Sequence, residues 1–553
     1  MDKIWLKNYQ LGVSEKIDVN RYHSLVGCFQ ESCKKYSKHK ALSNFGTVLT
    51  YAELERKSSI FAAYLQEGLG LVKGDRFAIM MPNLLQYPIA LYGALRAGLV
   101  VVNVNPFYTQ REFIHQINDA QASALIVLEN FSKVVAEAKA QTTLKHVIVT
   151  RMGDLISWPK RHIINFVARH RKSTWSYAPI RGEISLKMVL QQGRKMQLQE
   201  VNLNAQDLAF LQYTGGTTGV AKGVMLTHGN IIANLLQTSA WIGASLQLHE
   251  EIIISPLPLY HAYSLLAGCL LFLFFGACIV LITDPRNIKR FVKEISKTPF
   301  TGFIGINTLF AKLLENKKFR VLDFKSMKVA LGGGMAMDKS VTEQWENLIH
   351  VPMLQGYGLT EASPVVTVEP MARGKSTGSV GLPLPSTEVS IRDEDGEEVM
   401  LGEVGELWVK GPQVMQGYWR NETETKQVLT EGGWLHTGDI AHMDDQGYIY
   451  LVDRQKDMII VSGFNVYPSE IEEVINMHPG VECGAVIGVP DDKAGERVKA
   501  FIIKKNKQLS ATMIVDHCRQ NLTAYKVPKE IEFVDSLPLS PVGKILRREL
   551  RMD

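Results

Sequence analysis

The chain has 553 residues, of which 46% are hydrophobic and 21% charged, and a formal net charge of +5. This length exceeds one ordinary domain, so two or three domains are expected. The small, dispersed charge excludes nucleic acid as an expected partner and suits acidic small molecules or an anionic membrane surface. The six cysteines show neither metal-ligand spacing nor disulfide-like density, and the N-terminus lacks the apolar core of a secretory signal. We therefore expect a cytoplasmic protein with reduced thiols.

The first half of the chain alternates between helical and strand-like patterns. We predict helices over 50–66 and 87–97, and strands over 76–81, 100–105 and 124–128. This alternation indicates βαβ units and a mostly parallel sheet. A second α/β block is predicted to end near Pro370, followed by a small β-rich unit up to Asp453 and a compact domain from Lys456.

Two stretches are each open to a membrane interpretation. Leu265–Ile282 is uncharged and long enough to span a bilayer, but Gly276 favours a buried helix that ends there and a core strand that follows. Residues 151–181 mix basic with apolar and aromatic side chains, which predicts either a peripheral contact with an anionic bilayer or a surface helix with one docked face.

A glycine-rich stretch has the components of a phosphate cradle, namely backbone N–H groups, hydroxyls and a lysine. It consists of Thr214, Gly215, Gly216, Thr217, Thr218 and Gly219, followed by Lys222. It is not a Walker A loop, because Ala221 precedes Lys222 and Gly223 follows it. Apolar segments on both sides predict a loop that joins strand to strand, with a helix beginning only near Asn230.

Three further motifs follow predicted strands in the second α/β block. His261 follows the strand 252–254, where open α/β sheets bind ligands, although a structural histidine remains an alternative. Gly332, Gly333 and Gly334 indicate either a close approach to a flat group or a tight turn. Tyr357 lies beside Gly358 and is followed by Thr360 and Glu361, which suit a base, a phosphate and Mg²⁺ respectively, unless this is only a turn that opens a helix.

Three motifs near the C-terminal end complete the set. Asp439 is predicted in a glycine turn, where its carboxylate can accept the hydroxyls of a ribose, or is an ordinary turn residue. The charged segment Asp453–Asp457 separates two predicted strands, where a hinge would lie. Lys544, on a small loop, is by itself only a solvated lysine.

In this order, the motifs resemble the core motifs of the acyl-adenylate-forming superfamily, over about residues 25–550. The sequences of the segments 433–457, 462–470 and 537–550 are most similar to those of bacterial long-chain fatty-acid–CoA ligases. The resemblance implies an α/β fold with a large N-terminal domain of parallel α/β sheets plus a small β-barrel-like unit, over residues 1–454. It also implies a small mobile α+β C-terminal domain over residues 455–553.

The resemblance also implies a role for each motif. Thr214–Lys222 would hold the β/γ-phosphates, and Thr214 and Glu361 would bind Mg²⁺. Gly332–Gly334 and Tyr357, with Gly358 beside it, would line the adenine, and Thr360 would contact the α-phosphate. Asp439 and Arg454 would hold the ribose. Gly463 would border the pantetheine channel of CoA. Lys456 would be the hinge pivot, His261 would lie beside the acyl carboxylate, and Lys544 would bridge that carboxylate and the α-phosphate. Gln455 departs from the Lys common at its position in fatty-acid ligases.

The implied activity is ATP-dependent activation of a fatty acid through an acyl-adenylate, then thioester formation with CoA, releasing AMP and pyrophosphate. Fatty acid, ATP and CoA would be substrates, Mg²⁺ the cofactor, and the location cytoplasmic with a peripheral contact to the inner membrane. An acyl-AMP ligase serving a carrier protein, a phosphoryl-transfer enzyme and a membrane transporter component stay open as alternatives. Acyl chain length and oligomeric state, including a homodimer, also stay open.

Overall fold

The computed structural model describes residues 3–170, 177–214, 221–243, 246, 249–371, 378–461, 464–491, 494–540 and 544–551. The chain divides into two compact units. The larger unit comprises Tyr9–Glu388 and Lys410–Gly433, and the smaller comprises Met1–Asn8, Val389–Val409 and Trp434–Asp553.

The strands are numbered in chain order. They are β1 (Lys40–Asn44), β2 (Thr47–Thr50), β3 (Arg76–Met80), β4 (Val100–Asn103), β5 (Ala122–Leu128), β6 (His146–Thr150), β7 (Ile184–Ser185), β8 (Leu208–Thr214), β9 (Lys222–Thr227), β10 (Ile252–Ser255), β11 (Cys278–Leu281), β12 (Gly302–Gly305), β13 (Val329–Gly332), β14 (Met353–Gly358), β15 (Val365–Val368), β16 (Leu382–Pro383), β17 (Glu388–Arg392), β18 (Gly405–Lys410), β19 (Gly417–Tyr418), β20 (Leu435–Met443), β21 (Ile449–Arg454), β22 (Ile459–Val461), β23 (Phe464–Val466), β24 (Val481–Asp491), β25 (Gly495–Lys504) and β26 (Glu530–Phe533).

The α-helices are numbered in the same way. They are α1 (Leu25–Lys35), α2 (Tyr51–Ala63), α3 (Gln86–Arg96), α4 (Gln110–Asp119), α5 (Ser132–Ala138), α6 (Lys160–His170), α7 (Leu186–Gly193), α8 (His228–Gly243), α9 (Ala262–Leu265), α10 (Leu271–Phe275), α11 (Ile288–Ile295), α12 (Asn307–Glu315), α13 (Lys339–Ile349), α14 (Glu422–Val428), α15 (Pro468–Asn476), α16 (Ala511–Asn521) and α17 (Arg547–Leu550). Short 3₁₀ or π-helical turns lie at Ile4–Asn8, Tyr64–Gly68, Glu129–Phe131, Lys139–Gln141, Leu266–Leu270, Thr360–Ala362 and Gln455–Asp457.

Two large sheets form the core of the larger unit. One has the order β16-β15-β14-β13-β12-β10-β11-β1-β2, and the other has the order β19-β9-β8-β4-β3-β5-β6-β7. Their central pairs are parallel, and antiparallel pairs lie toward the edges, as between β14 and β15 or β8 and β9. The central strands are buried on both faces, as parallel sheets covered by helices require. The predicted mostly parallel α/β architecture is confirmed.

Local sequence signals account for several boundaries in the larger unit. Thr50 and Glu53 form a capping box that begins α2, and Thr109 and Glu112 begin α4 in the same way. The apolar run from Leu265 is helical as far as Phe275, and Gly276 ends the helix in the left-handed region at φ 86°. Because β11 follows directly, the prediction of a buried helix and a core strand is confirmed. Within the described ranges, no helix is long and apolar enough to cross a membrane.

The smaller unit contains two further sheets. The predicted β-rich segment is a four-stranded sheet in the order β17-β18-β20-β21, with antiparallel pairs. A five-stranded sheet follows, in which β26 adds to β25 in parallel and the other pairs are antiparallel. Helices α15 and α16 supply Ile471, Ile475 and Ile514 to the core of this second sheet.

Trp345 on α13 offers a test of packing in the larger unit. Its side chain is fully buried, with ring centroids 4.6 Å from Phe310, 5.7 Å from Phe303 and 5.8 Å from Phe319. We expect Trp345→Ala to lower the free energy of unfolding by about 3–5 kcal/mol, because it removes apolar contacts and leaves a cavity. Urea unfolding followed by circular dichroism measures this loss. The control Trp158→Ala removes a tryptophan that is 76% exposed and should change stability by no more than about 0.5 kcal/mol; equal losses would contradict the packing described.

Candidate active site

The two ends of the glycine-rich loop lie opposite each other. Strands β8 and β9 pair antiparallel, and Thr214 and Lys222 are the last partners of this ladder. Helix α8 begins only at His228. The prediction that the loop joins strand to strand is therefore confirmed. The predicted phosphate contacts Gly215, Gly216, Thr217, Thr218 and Gly219 lie outside the described residues.

Lys222 is surrounded by groups that the sequence did not identify. Its ammonium forms an ion pair with the Glu424 carboxylate of α14 and lies 5.2 Å from the centre of the Tyr418 ring. The Tyr418 hydroxyl in turn donates a hydrogen bond to Oε1 of Glu361, at 2.9 Å. Burial, and next the charge of Glu361, raise the pKa of Tyr418 far above its usual value, so this hydroxyl stays protonated. The lysine and the predicted metal-binding carboxylate are thus linked through Tyr418.

Strand pairing brings these groups together. The short strand β19, which contains Tyr418, pairs with β9 just after Lys222, and the Trp419 N–H donates to the carbonyl of Gly223 at 2.7 Å. A second backbone bond runs from the Met415 N–H to the Glu361 carbonyl, at 2.8 Å. Nothing in the local sequence predicts the pairing of β19 with β9, whose residues are about 200 positions apart.

The other predicted contacts of the larger unit follow the carboxyl ends of neighbouring parallel strands. His261 follows β10, Gly333 and Gly334 follow β13, and Thr360 and Glu361 follow β14. From β10 the chain crosses to β11 on one side, and from β12 it crosses to β13 on the other. Adjacent strands whose connections leave in opposite directions create a crevice, and open α/β sheets bind their ligands there.

His261 is a neutral polar group at this edge. Its Nε2 is buried and has no hydrogen-bond partner within the part of the chain that the structure describes. Burial lowers the pKa of His261 to about 4, so the imidazole is uncharged at neutral pH. A buried polar nitrogen without a partner is costly, and a ligand that hydrogen-bonds to it would remove that cost.

Close contacts or backbone conformation account for three glycines of the candidate site. A Cβ at Gly333 would lie 3.1 Å from the Tyr263 ring, and Gly334 has φ +76°. A side chain at Gly358 would overlap the carbonyl of Pro364. Tyr357 is buried within β14, so the stretch 355–358 is a strand and only Thr360–Ala362 is a helical turn.

In the smaller unit, the predicted ribose residues form a pair. Asp439 on β20 is the register partner of Arg454 on β21, and Nε of Arg454 lies 2.9 Å from Oδ1 of Asp439. The prediction of a turn at Asp439 is wrong, because this residue is in the middle of a nine-residue strand. Gly438, at φ +67°, and a register shift after Ile440 explain why the sequence looked like a turn.

Lys456 and Lys544 lie close to this pair. The pKa of Lys544 is lowered to about 8, first by desolvation and next by the charge of Arg454. The Asp439 carboxylate opposes this shift. The pKa of Lys456 is lowered by desolvation and by the same Arg454 guanidinium. Gly463 lies outside the described residues.

Arg547, which the sequence analysis gave no role, anchors the segment that carries Lys544. Its guanidinium lies 2.7 Å from Glu472, 3.3 Å from Asp457 and 3.5 Å from Asp453. Burial by itself would lower the pKa of Arg547, but the charges of these carboxylates outweigh it and raise the pKa. The same contacts hold α17 against α15 and the charged segment 453–457. Asp453 and Asp457 in that segment were the available sequence signal for a distant basic partner.

Comparison with known proteins adds independent support. The family model "AMP-binding enzyme" matches residues 29–419, and "AMP-binding enzyme C-terminal domain" matches residues 470–544. The chain is 52% identical over 551 residues to a long-chain-fatty-acid--CoA ligase of Yersinia pestis, covering 100% of this chain and 98% of that protein. It is 47% identical over 555 residues to the Haemophilus influenzae protein of the same name, with the same coverage.

A solved structure supports the same relationship. ATP-bound MatB from Rhodopseudomonas palustris superposes with a TM-score of 0.80 at 26% identity, covering 95% of this chain and 98% of that one. The matched family model spans more than half of the chain, and the relatives extend over its whole length. The chain therefore belongs to the AMP-binding enzyme family, the acyl-adenylate-forming superfamily that its motifs predicted.

Proposed function

We propose that this protein is a long-chain fatty-acid–CoA ligase, which activates a fatty acid with ATP as an acyl-adenylate and transfers the acyl group to CoA, releasing AMP and pyrophosphate. The observation that carries this proposal is full-length identity of 47–52% to proteins of that name. The positions of His261, Gly333 and Glu361 support it, because all three follow the carboxyl ends of parallel strands of one sheet, the edge at which open α/β sheets bind ligands.

The first step joins two anions, because the fatty-acid carboxylate attacks the α-phosphorus of ATP. The carboxylate is already a nucleophile and needs no general base. The site must instead supply positive charge where negative charge develops. We assign Lys544 to the acyl carboxylate and α-phosphate, Lys222 and Thr214 to the departing pyrophosphate, and Thr360 to the α-phosphate.

The neutral His261 suits the acyl side of this site. Because the pKa of His261 is about 4, its imidazole is neutral and does not form an ion pair with the carboxylate that would weaken it as a nucleophile. The neutral ring can still form a hydrogen bond. Tyr357 and Gly332–Gly334 are assigned to the adenine, with Gly358 beside them. Asp439 and Arg454 are assigned to the ribose.

Glu361 and Thr214 would hold Mg²⁺. Among the described residues no group of three or more histidine, cysteine or acidic side chains could bind a metal. The donor set nevertheless fits this ion, since Mg²⁺ is usually held by one or two carboxylates together with substrate phosphates. When bound, Mg²⁺ would offset phosphate charge. The Tyr418 hydroxyl donates a hydrogen bond to Oε1 of Glu361 and so helps to hold this carboxylate in position.

The second step needs CoA, and we assign its pantetheine channel to Gly463. Gly463 and Lys544 both follow the turn Gln455–Asp457, which joins the four-stranded to the five-stranded sheet. We propose that Lys456 in this turn is the pivot, and that residues 455–553 move as a domain between the two steps relative to residues 1–454. A homodimer stays a prediction of the sequence.

The proposed activity predicts its products. With ATP, CoA and a long-chain fatty acid, the protein should form AMP, pyrophosphate and acyl-CoA in equal amounts. ATP–pyrophosphate exchange across carboxylic acids from acetate to oleate measures the first step and its chain-length preference. Formation of ADP and phosphate would identify a phosphoryl-transfer enzyme instead. Acyl-AMP that does not react with free CoA would identify a ligase that serves a carrier protein.

Lys544→Ala tests the assignment of the two steps to different residues. We expect the activation free energy of adenylation to rise by about 3–4 kcal/mol, as for the loss of one hydrogen-bond donor to a transition state. Thioester formation from preformed acyl-adenylate should be unchanged, because Lys544 acts only at the α-phosphate. Separate assays of the two half-reactions measure this. An equal loss in both would contradict the assignment.

We also propose that α6 binds the surface of an anionic membrane. The alternative interpretation, a docked apolar face, requires buried side chains, but Trp158 is 76%, Ile163 62%, Phe166 63% and Val167 50% exposed. Positions 163, 166 and 167 lie three and four residues apart and therefore share one face of the helix. Lys160 and Arg161 at the start of α6 supply positive charge for anionic headgroups.

The double variant Ile163→Ser/Phe166→Ser should bind vesicles that contain phosphatidylglycerol at least about ten-fold more weakly than the parent protein, because two inserted apolar side chains are lost. Sedimentation with vesicles measures this binding. The control is Val321→Ser, which removes another 81% exposed side chain and should leave binding unchanged. Unchanged binding of the double variant would contradict the proposal.

A further inference from the structure

The positive charge at the end of the phosphate loop is already paired within the chain. The Lys222 ammonium forms an ion pair with the carboxylate of Glu424, and the side chains are only 17% and 28% exposed. A pair that is partly shielded from solvent is screened by salt less than a surface pair. This carboxylate contacts the lysine that the proposed function assigns to the phosphates.

Several contacts fix Glu424 at this position. The side chain of Asn421 caps α14 by accepting a hydrogen bond from the Glu424 N–H, at 3.1 Å. The hydroxyl of Thr425 accepts from the Tyr418 N–H at 2.9 Å and donates to the Asn421 carbonyl at 2.8 Å. Because Tyr418 belongs to β19, which pairs with β9, these bonds attach the start of α14 to the strand that begins with Lys222.

We infer that Glu424 is a positioning residue that competes with the phosphates of ATP for Lys222. This inference rests on the proposed function, in which Lys222 contacts the β/γ-phosphates. If the Glu424 carboxylate and a phosphate both contacted the Lys222 ammonium, two negative charges would lie close together and repel each other. If Lys222 is free of Glu424 for only a fraction of the time, the apparent affinity for ATP is reduced to that fraction of its intrinsic value.

The exchange of Lys222 between the phosphates and the Glu424 carboxylate also gives this carboxylate a role during the reaction. After the acyl-adenylate has formed, pyrophosphate must leave while AMP stays attached to the acyl group. Glu424 can take back the Lys222 ammonium as pyrophosphate departs, so the loop never leaves a partly buried cation unpaired. Glu424 therefore weakens the binding of ligands that carry the β- and γ-phosphates, and leaves the binding of AMP unaffected.

The test is Glu424→Gln in the full chain, with dissociation constants measured by calorimetry in the presence of Mg²⁺ and without fatty acid. The variant keeps the size of the side chain and removes its charge. We expect ATP and pyrophosphate to bind about two- to five-fold more tightly, which is the upper part of the range for losing a competing ion pair of this kind. The dissociation constant for AMP should not change.

Glu422→Gln is the matched control. Glu422 is exposed and lies in the same first turn of α14 as Glu424. Its substitution therefore changes the net charge and the electrostatic field at this helix end by the same amount as Glu424→Gln does. It should leave all three dissociation constants unchanged. In a Lys222→Ala background, Glu424→Gln should no longer tighten ATP binding, because the ammonium for which the two anions compete is absent.

Each other outcome overturns the inference in a distinct way. Weaker ATP binding by Glu424→Gln would mean that the carboxylate holds Lys222 ready for ATP. Unchanged ATP binding would mean that the ion pair has no influence on the site. Equal tightening of ATP and AMP, or the same effect from Glu422→Gln, would show a general charge effect. By contrast, a parent protein that binds ATP but forms no acyl-CoA would contradict the proposed function and leave the measured competition intact.

Discussion

Parallel pairing of β10, β12, β13 and β14 is the constraint on which the larger unit depends. Each parallel strand must be followed by a crossover before the next can begin, so all carboxyl ends meet at one edge of the sheet. His261, Gly333 and Glu361 are far apart in sequence, and each follows or closes one of these strands. Their shared edge is therefore a consequence of backbone hydrogen bonding between the strands.

A second theme is that three cations, one in each of three parts of the structure, are paired with carboxylates of the chain itself. Lys222 is held by Glu424, Arg454 by Asp439, and Arg547 by Glu472. An unpaired charge that is partly buried is costly, so a site that binds anions must balance its cations when no ligand is present. The Lys222 pair is the one for which we infer competition with the phosphates of ATP, whereas the Arg547 pair anchors the C-terminal segment.

Local patterns predicted most of the elements that position the site. The capping boxes, the helix that ends at Gly276 and the loop between β8 and β9 all depend on residues close together in the chain, and the structure confirms them. The turn predicted at Asp439 was wrong because a glycine inside a bulged strand resembles a turn in sequence. The ordered motifs also identified the family, which the comparisons confirm.

The sequence by itself determined the α/β class, the family and the residue types of the candidate site, because periodicity, caps and motif spacing are written in short segments. Only the tertiary structure decided which charges meet. Glu424 reaches Lys222, and Tyr418 reaches Glu361, through the pairing of β19 with β9, which joins segments about 200 residues apart. Such long-range pairing leaves no local signal, since it depends on the whole sheet that brings both strands to the same place.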